Sequence, residues 1–365
     1  MTSPESVSEG DILYLNNLPC EIWLGDVLDR LREMPDNSVD CVVTSPPYWG
    51  LRDYGVEGQL GLEPTLKEHL DKMVEVFEEI RRVLKPEGTC WINYGDCYAT
   101  TPAGHKADAD GRVRRKNDDR TFTQKPFSTI QGTLKPKDLC MLPNRLAIAL
   151  QDAGWWVRSE IIWAKPNPMP ETARDRPAVA HEKIWLLTKS ARYFYDKEAV
   201  KQPVSGGTKS RGKKRKPPID QAGQGHQNWC SYMREDDDAQ QTHRNLRNYE
   251  PAPVSVWEMG TRPFPGAHFA TFPPELAQRC IEAGCPRGGV VLDPFGGAGT
   301  TGLVALRHGR RAILIELNPE YAAIAQERIA KDWMGPAELK VNQAGPEPDV
   351  GPLFTNLEPM EVCSA

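Results

Sequence analysis

No stretch of the 365-residue chain approaches the roughly 20 consecutive apolar residues that a membrane-spanning helix needs, so no membrane partner is expected. The opening MTSPESVSEGD has no apolar core of the kind a secretory signal carries, and the expected location is cytoplasmic. Cysteine is present nine times but without a C-x-x-C pair, which offers neither a zinc spacing nor a disulfide framework; buried or free thiols and no bound metal are expected. Net positive charge is also missing. The 45 Lys and Arg against 50 Asp and Glu leave −5, which taken alone argues against a nucleic-acid partner. No internal repeat is apparent.

What is present is a chain with 39% apolar residues, long enough to bury a large core as one domain carrying insertions. Its positive charge is concentrated. Lys201, Lys209, Arg211, Lys213, Lys214, Arg215 and Lys216 fall in a stretch without an acidic residue, and Arg112, Arg114, Arg115, Lys116 and Arg120 form a second cluster. Both are candidate phosphate-contacting surfaces, and both read equally well as solvated basic loops.

Apolar patterning predicts strands at 20–26, 39–43, 89–94, 155–163, 182–188, 289–293 and 311–316. Helices are expected at 27–34, 65–84, 143–153, from about 273, after the glycine turn at 296–299, and at 319–332. Lys85-Pro86-Glu87-Gly88 marks the stop after the second of these helices. Alternating strands and helices imply an α/β fold, a mostly parallel sheet covered on both faces. Residues 100–138 and 200–266 are rich in Gly, Pro, Lys, Arg, Asn and Gln with little periodicity, and are expected to be insertions outside the main core. The expected division is 20–199 with its insertion at 100–138, then 200–266, then 267–332, and a mobile tail at 333–365.

The segment VVLDPFGGAGTTG sets Gly296, Gly297 and Gly299 directly after an apolar strand and before a helix, where backbone can approach a ligand closely. About twenty residues on, the next strand ends in Glu316, whose carboxylate can accept hydrogen bonds from both hydroxyls of a ribose. Gly297-x-Gly299-x-x-Gly302 also fits a dinucleotide turn, so a nicotinamide-dependent dehydrogenase stays open at this point. Two details favour S-adenosylmethionine. Asp293, Pro294 and Phe295 offer a carboxylate for a sulfonium and an aromatic edge for adenine, and Thr300 and Thr301 offer hydroxyls in place of room for a pyrophosphate.

Residues 39–43 run straight into Thr44-Ser45-Pro46-Pro47-Tyr48-Trp49, and a motif at the carboxyl end of a strand is where open α/β sheets place ligands. An exocyclic amino group on a base is a poor nucleophile because its lone pair is delocalised into the ring. Two acceptors holding its N–H protons favour a pyramidal nitrogen aimed at a methyl donor. The Ser45 hydroxyl and the Pro46 carbonyl can be those acceptors, and Pro46 and Pro47 hold them rigidly. Tyr48 supplies a face for stacking a base flipped out of a duplex, and Trp49 extends that wall. Addition of a thiolate to the ring is the other route to base methylation, but Cys20, the only Cys after a Pro, precedes a strand and reads as structural.

With TSPPYW, DPFGGAGTT and LGDVLDRLREMPDNSVDCVVTSPPY in view, the sequence resembles the beta class of amino-methylating DNA methyltransferases. IIWAKPNPMP, DRPAVAHEKIWLLTKSARYFYD and ELNPEYAAIAQERI match further, and the resemblance covers about 20–98, 139–199 and 267–332. It implies a Rossmann-like fold with a seven-stranded, mostly parallel sheet containing one antiparallel strand. The motif order is circularly permuted, with the catalytic motif first, target recognition in the middle (200–266) and the cofactor motif last. It further implies that Asp293 through Gly299 and Glu316 bind S-adenosylmethionine, that Asp26 lies near its adenine, and that His268–Glu275, with Thr271 and Phe272, meets its methionine part. Ser45, Pro46, Pro47 and Tyr48 would form the catalytic pocket. Among such enzymes serine at the first position of the motif mostly accompanies cytosine N4 methylation, and Asp or Asn adenine N6 methylation. Expected partners are double-stranded DNA, with a second copy of the chain and a cognate restriction endonuclease as candidates. The alternatives are adenine N6 as target, an RNA or protein methyltransferase, and a non-enzymatic DNA-binding regulator.

Overall fold

The computed structural model of the chain describes residues 11–15, 18–101, 123–124, 126–168, 170–171, 173–200, 254–261 and 272–333. Both basic clusters, Thr271, and nearly all of the stretch 200–266 lie outside these residues. Eleven strands are described: β1 (Ile12–Tyr14), β2 (Cys20–Leu24), β3 (Val39–Thr44), β4 (Arg52–Asp53), β5 (Leu84–Tyr94), β6 (Thr123–Gln124), β7 (Trp156–Ala164), β8 (His181–Thr188), β9 (Val256–Glu258), β10 (Val290–Asp293) and β11 (Arg311–Glu316). The helices are α1 (Val27–Glu33), α2 (Leu66–Val83), α3 (Leu142–Asp152), α4 (Pro274–Gly284), α5 (Thr300–Arg307) and α6 (Pro319–Asp332). Among the described residues no helix is long and apolar enough to cross a membrane, and no three His, Cys, Asp or Glu are grouped to hold a metal.

One sheet takes nine strands in the order β1-β2-β11-β10-β3-β5-β8-β7-β9. From β2 to β5 every pairing is parallel, and β8 runs antiparallel to both β5 and β7. The seven strands β2 to β7 of this order therefore carry the one expected antiparallel member. Two three-residue edge strands, β1 and β9, extend the sheet to nine. Both are too short to show a period-2 signal.

The parallel strands are apolar on both sides because helices cover both faces. In β3, Val42 joins the core under α1, α2 and α3 with Ile92, Leu292 and Ile313. Residues of the opposite parity face α4 and α5: Thr89 and Trp91 lie against Gly284, and Leu314 against Gly302. Helix α2 starts where the sequence places a capping box, with the Thr65 hydroxyl accepting from Glu68 N and the Glu68 carboxylate from Thr65 N.

Three boundaries differ from expectation. Lys85–Gly88 is a bulge inside β5, since Val39 pairs with Leu84 but Cys41 already pairs with Thr89. The later part of 100–138 is built into the fold: Thr129 exchanges hydrogen bonds with Thr100, and Leu134 is buried in the core. Of 200–266, Val256–Glu258 return to the main sheet beside β7.

Candidate active site

Four parallel strands end on the same edge of the sheet. Leu24 of β2 is level with Glu316 of β11, and Asp293 of β10 with Leu314. Beyond β3 the ladder stops because Pro46 and Pro47 carry no N–H to donate. One cleft is lined by residues at or just past these four strand ends: Gly25 and Asp26 after β2, Ser45 to Tyr48 after β3, Phe295, Gly297 and Ala298 after β10, and Glu316 to Asn318 at the end of β11. Asp26, Ser45, Pro46, Pro47, Tyr48, Phe295, Gly297 and Glu316, singled out from the sequence, are thus brought together.

Glu316 is held ready at the cleft wall. Its Oε2 accepts from Gly297 N at 2.7 Å and its Oε1 from Asn318 N at 2.9 Å, while burial, opposed by these amides, raises its pKa. Asp26 caps α1, accepting from Leu28 N at 2.8 Å. The Tyr48 ring lies edge-on to Tyr94 with centroids 4.9 Å apart, in space that a Cβ on Gly95 would invade at 2.6 Å. Behind it, the wholly buried His69 bridges Tyr94 Oη at 2.8 Å and Glu63 at 2.7 Å, which fixes the ring's support.

Several expected ligand groups lie beneath the cleft instead of on its wall. Asp293, 2% exposed, accepts at Oδ1 from Thr44 Oγ1 (2.7 Å) and Phe295 N (3.1 Å), and its Oδ2 meets Thr301 Oγ1 at 2.6 Å. It joins β3, the glycine turn and α5, and burial pushes its pKa up to about 7. The Thr301 hydroxyl is taken by this contact, and the Thr300 hydroxyl accepts from Arg328 at 2.9 Å. Pro294 and Phe272 are buried. Gly296 and Gly299 serve packing: Gly296 abuts Leu314, and Gly299, at φ +74°, abuts Ala325. Trp49 is corrected from a base-stacking wall to a core residue, fully buried with its indole N–H on the Glu63 carbonyl at 2.9 Å.

Two parts of the site were not singled out from the sequence. Residues 51–60 form a wall of the cleft, tied by Gln59, which accepts from Tyr54 N and donates to Arg52 O, both at 2.7 Å. Tyr54 meets Tyr321 edge-to-face at 5.9 Å. The other part is a charged group beside Tyr48: Glu182 accepts from Tyr48 Oη at 3.1 Å, from Asn93 Nδ2 at 3.0 Å and from Lys165 Nζ. The signal for it was two charged residues, Lys165 and Glu182, beside the apolar runs Ile161–Ala164 and Ile184–Leu187.

A doubly covered α/β sheet that brings a glycine turn, a strand-end carboxylate and a Ser-Pro-Pro-Tyr strand end to one cleft is the architecture of a nucleotide-cofactor enzyme. A model of the N6/N4 DNA methylases matches residues 39–327, and the chain belongs to this DNA methylase family. It is 45% identical over 308 residues to the type II methyltransferase M.XycI of Xanthomonas campestris pv. cyanopsidis, covering 84% of this chain and 87% of that one. Likeness to M.Cfr9I of Citrobacter freundii is 42% (90% and 92% covered), and to M.SmaI of Serratia marcescens 41% (88% and 94% covered). The solved PvuII DNA methyltransferase (cytosine-N4-specific) shares the fold, at TM-score 0.54 and 18% identity over 91% of this chain and 89% of that one. The fold is accordingly the Rossmann-like methyltransferase fold.

Proposed function

We propose that this protein is a type II modification enzyme that methylates the N4 amino group of a cytosine in double-stranded DNA, with S-adenosylmethionine as donor. The observation that carries this reading is the shared cleft: the Ser45–Tyr48 strand end and the Glu316 carboxylate line the same space. The cleft fits the cofactor in its donor set, since Glu316 can accept from the ribose hydroxyls while Val27, Leu317 and Phe295 offer apolar and aromatic surface for adenine. When bound, the cofactor supplies an electrophilic methyl group on a cationic sulfur.

The chain's own residues do the rest. Ser45 Oγ and the Pro46 carbonyl accept the two amino protons and turn the nitrogen lone pair out of conjugation, and Tyr48 stacks on the flipped base. The stretch from about 200 to 254 reads the target sequence, and the basic groups around Lys213 and Arg114 hold phosphates. The assignment to cytosine rests on serine at position 45.

Incubation with mixed-sequence DNA and labelled S-adenosylmethionine, followed by digestion and mass analysis of the nucleosides, tests this. N4-methylcytosine is expected, and Ser45→Ala lowers kcat on the order of 10²–10³-fold. N6-methyladenine as the only product refutes the cytosine assignment and leaves the rest of the reading standing. Absence of methylated DNA refutes the reading as a whole.

A further inference from the structure

The group around Glu182 lies outside the residues assigned to the reaction, yet it touches them at one atom. Ser45 Oγ and Tyr48 Oη are 3.4 Å apart, and Tyr48 Oη is 3.1 Å from Glu182 Oε2. The same oxygen of Glu182 accepts from Asn93 Nδ2 at 3.0 Å, and Lys165 Nζ is paired with Oε1. Lys165 also sits over the Trp163 ring, 4.4 Å from its centroid, which fixes the ammonium in place.

These contacts determine which way each proton points. A carboxylate facing an ammonium and an amide N–H is an acceptor only. The single proton of Tyr48 is therefore the one donated to Glu182. Burial, then the neighbouring Glu182 charge, holds the Tyr48 phenol well above its ordinary pKa, so that proton stays on the ring oxygen. With its proton committed, Tyr48 Oη can only accept from Ser45, and Ser45 must donate. The Ser45 oxygen is then left with its lone pairs for an incoming amino N–H and has no proton to direct against it.

We propose that Glu182, fixed by Lys165 and Asn93, is a positioning residue that orients the chain Ser45 to Tyr48 to Glu182 and receives the proton shed by the methylated amino group. This rests on the methyltransferase reading above. As the nitrogen–methyl bond forms and the sulfur–methyl bond breaks, the nitrogen carries one proton too many. That proton passes to Ser45 Oγ, the proton of Ser45 to Tyr48 Oη, and the proton of Tyr48 to Glu182 Oε2. Each hydroxyl ends with one proton, as it began, and the sulfur leaves as a neutral thioether. Glu182 has a side chain 21% exposed, so it can release the proton to water.

The test compares wild type, Glu182→Gln, Tyr48→Phe and the double variant in single-turnover methylation of DNA with cofactor preloaded, alongside calorimetric cofactor binding. Each single variant is expected to slow transfer by about 10²-fold, the scale of a positioned proton acceptor, with cofactor Kd within twofold of wild type. The double variant is expected to be no slower than the slower single one, because both remove the same chain. A loss under fivefold in either single variant, or losses that multiply in the double, overturns the proposal. A second readout needs no turnover: in protein labelled at tyrosine Cζ, the Tyr48 resonance, identified by its absence from Tyr48→Phe, shifts in Glu182→Gln. A stationary resonance overturns the Tyr48–Glu182 contact. Should Glu182→Gln fail to fold, Tyr48→Phe alone decides by the same fivefold limit. A wild-type protein that methylates no DNA overturns both this proposal and the reading beneath it, whereas an active wild type with an unaffected Glu182→Gln overturns this one alone.

Discussion

Replacing Asp293 by Asn separates its structural part from its charge. Burial raises its pKa from 3.8 to about 7, so folding takes up a proton at this site between those values. For a group whose folded pKa is raised, the associated stability is fully present below the unfolded pKa and is lost as pH rises through the folded one. The shift of about 3 units corresponds to about 4 kcal/mol in full, of which about 2.5 kcal/mol is lost between pH 5 and pH 8. The geometry says what the protonated state looks like. Oδ1 accepts from Thr44 and Phe295, Oδ2–H donates to Thr301, and the Thr301 hydroxyl turns to the Val43 carbonyl, 3.4 Å away. An Asn amide offers the same acceptor and the same donor to Thr301, with Nδ2 in place of the protonated oxygen and one further N–H.

Urea unfolding of wild type and Asp293→Asn, followed by tryptophan fluorescence at both pH values, measures the difference and cancels all other titrations. The variant should exceed wild type by about 1.5 kcal/mol at pH 5 and by about 4 kcal/mol at pH 8, a change of about 2.5 kcal/mol between the two. Asp293→Ala, which strands the Thr44 hydroxyl and the Phe295 amide, should cost about 3 kcal/mol at pH 5, and, having no titrating group, should recover about 2.5 kcal/mol of that deficit relative to wild type by pH 8. A stability difference between wild type and Asp293→Asn that is the same at both pH values refutes the reasoning. Asp293 would then be charged in the fold across this range, since a site protonated throughout it would cost wild type about 4 kcal/mol over those three pH units.

Glu316→Ala should weaken S-adenosylmethionine binding by about 1.5–3 kcal/mol, the scale of hydrogen bonds to a charged group, and calorimetry showing unchanged affinity would remove Glu316 from the cofactor site. Gly299→Ala should lower the Tm by destabilising the fold about 1–3 kcal/mol, because the new Cβ would lie 2.9 Å from Ala325 Cβ at a φ of +74°; an unchanged melting curve argues against the packing described. Neutralising Lys213, Lys214, Arg215 and Lys216 should weaken binding to all DNA sequences, each lost phosphate contact lowering the log–log salt slope by about one, and an unaltered slope would show that this cluster does not touch DNA.

The cleft was legible in the sequence wherever an apolar run is cut by a residue that cannot continue it. Pro46 after β3 and Gly296 after β10 each mark a strand end, and in a parallel sheet strand ends with intervening helices converge on one edge. What such punctuation does not carry is which residue of a turn faces the space. Asp293 and Phe295 are two apart, yet Phe295 lines the cleft and Asp293 is held beneath it by Thr44, a residue 249 positions away. The same holds for Trp49, whose indole is claimed by Glu63 once α2 and its preceding loop have packed. Lys165 and Glu182 stand in segments that already resembled the family, but their meeting depends on the antiparallel register in which Trp163 faces Glu182 across β7 and β8. Register is decided jointly by two strands and the helices over them, so neither segment read alone contains it. The wall at 51–60 was hidden for a related reason: its sequence is that of an ordinary polar loop, and its order comes from side chains, Gln59 on the backbone and Tyr54 on Tyr321. The parts of the site that escaped the sequence are those built from contacts between elements, and they include Glu182, Lys165 and Asn93, the groups proposed to orient Tyr48 against Ser45.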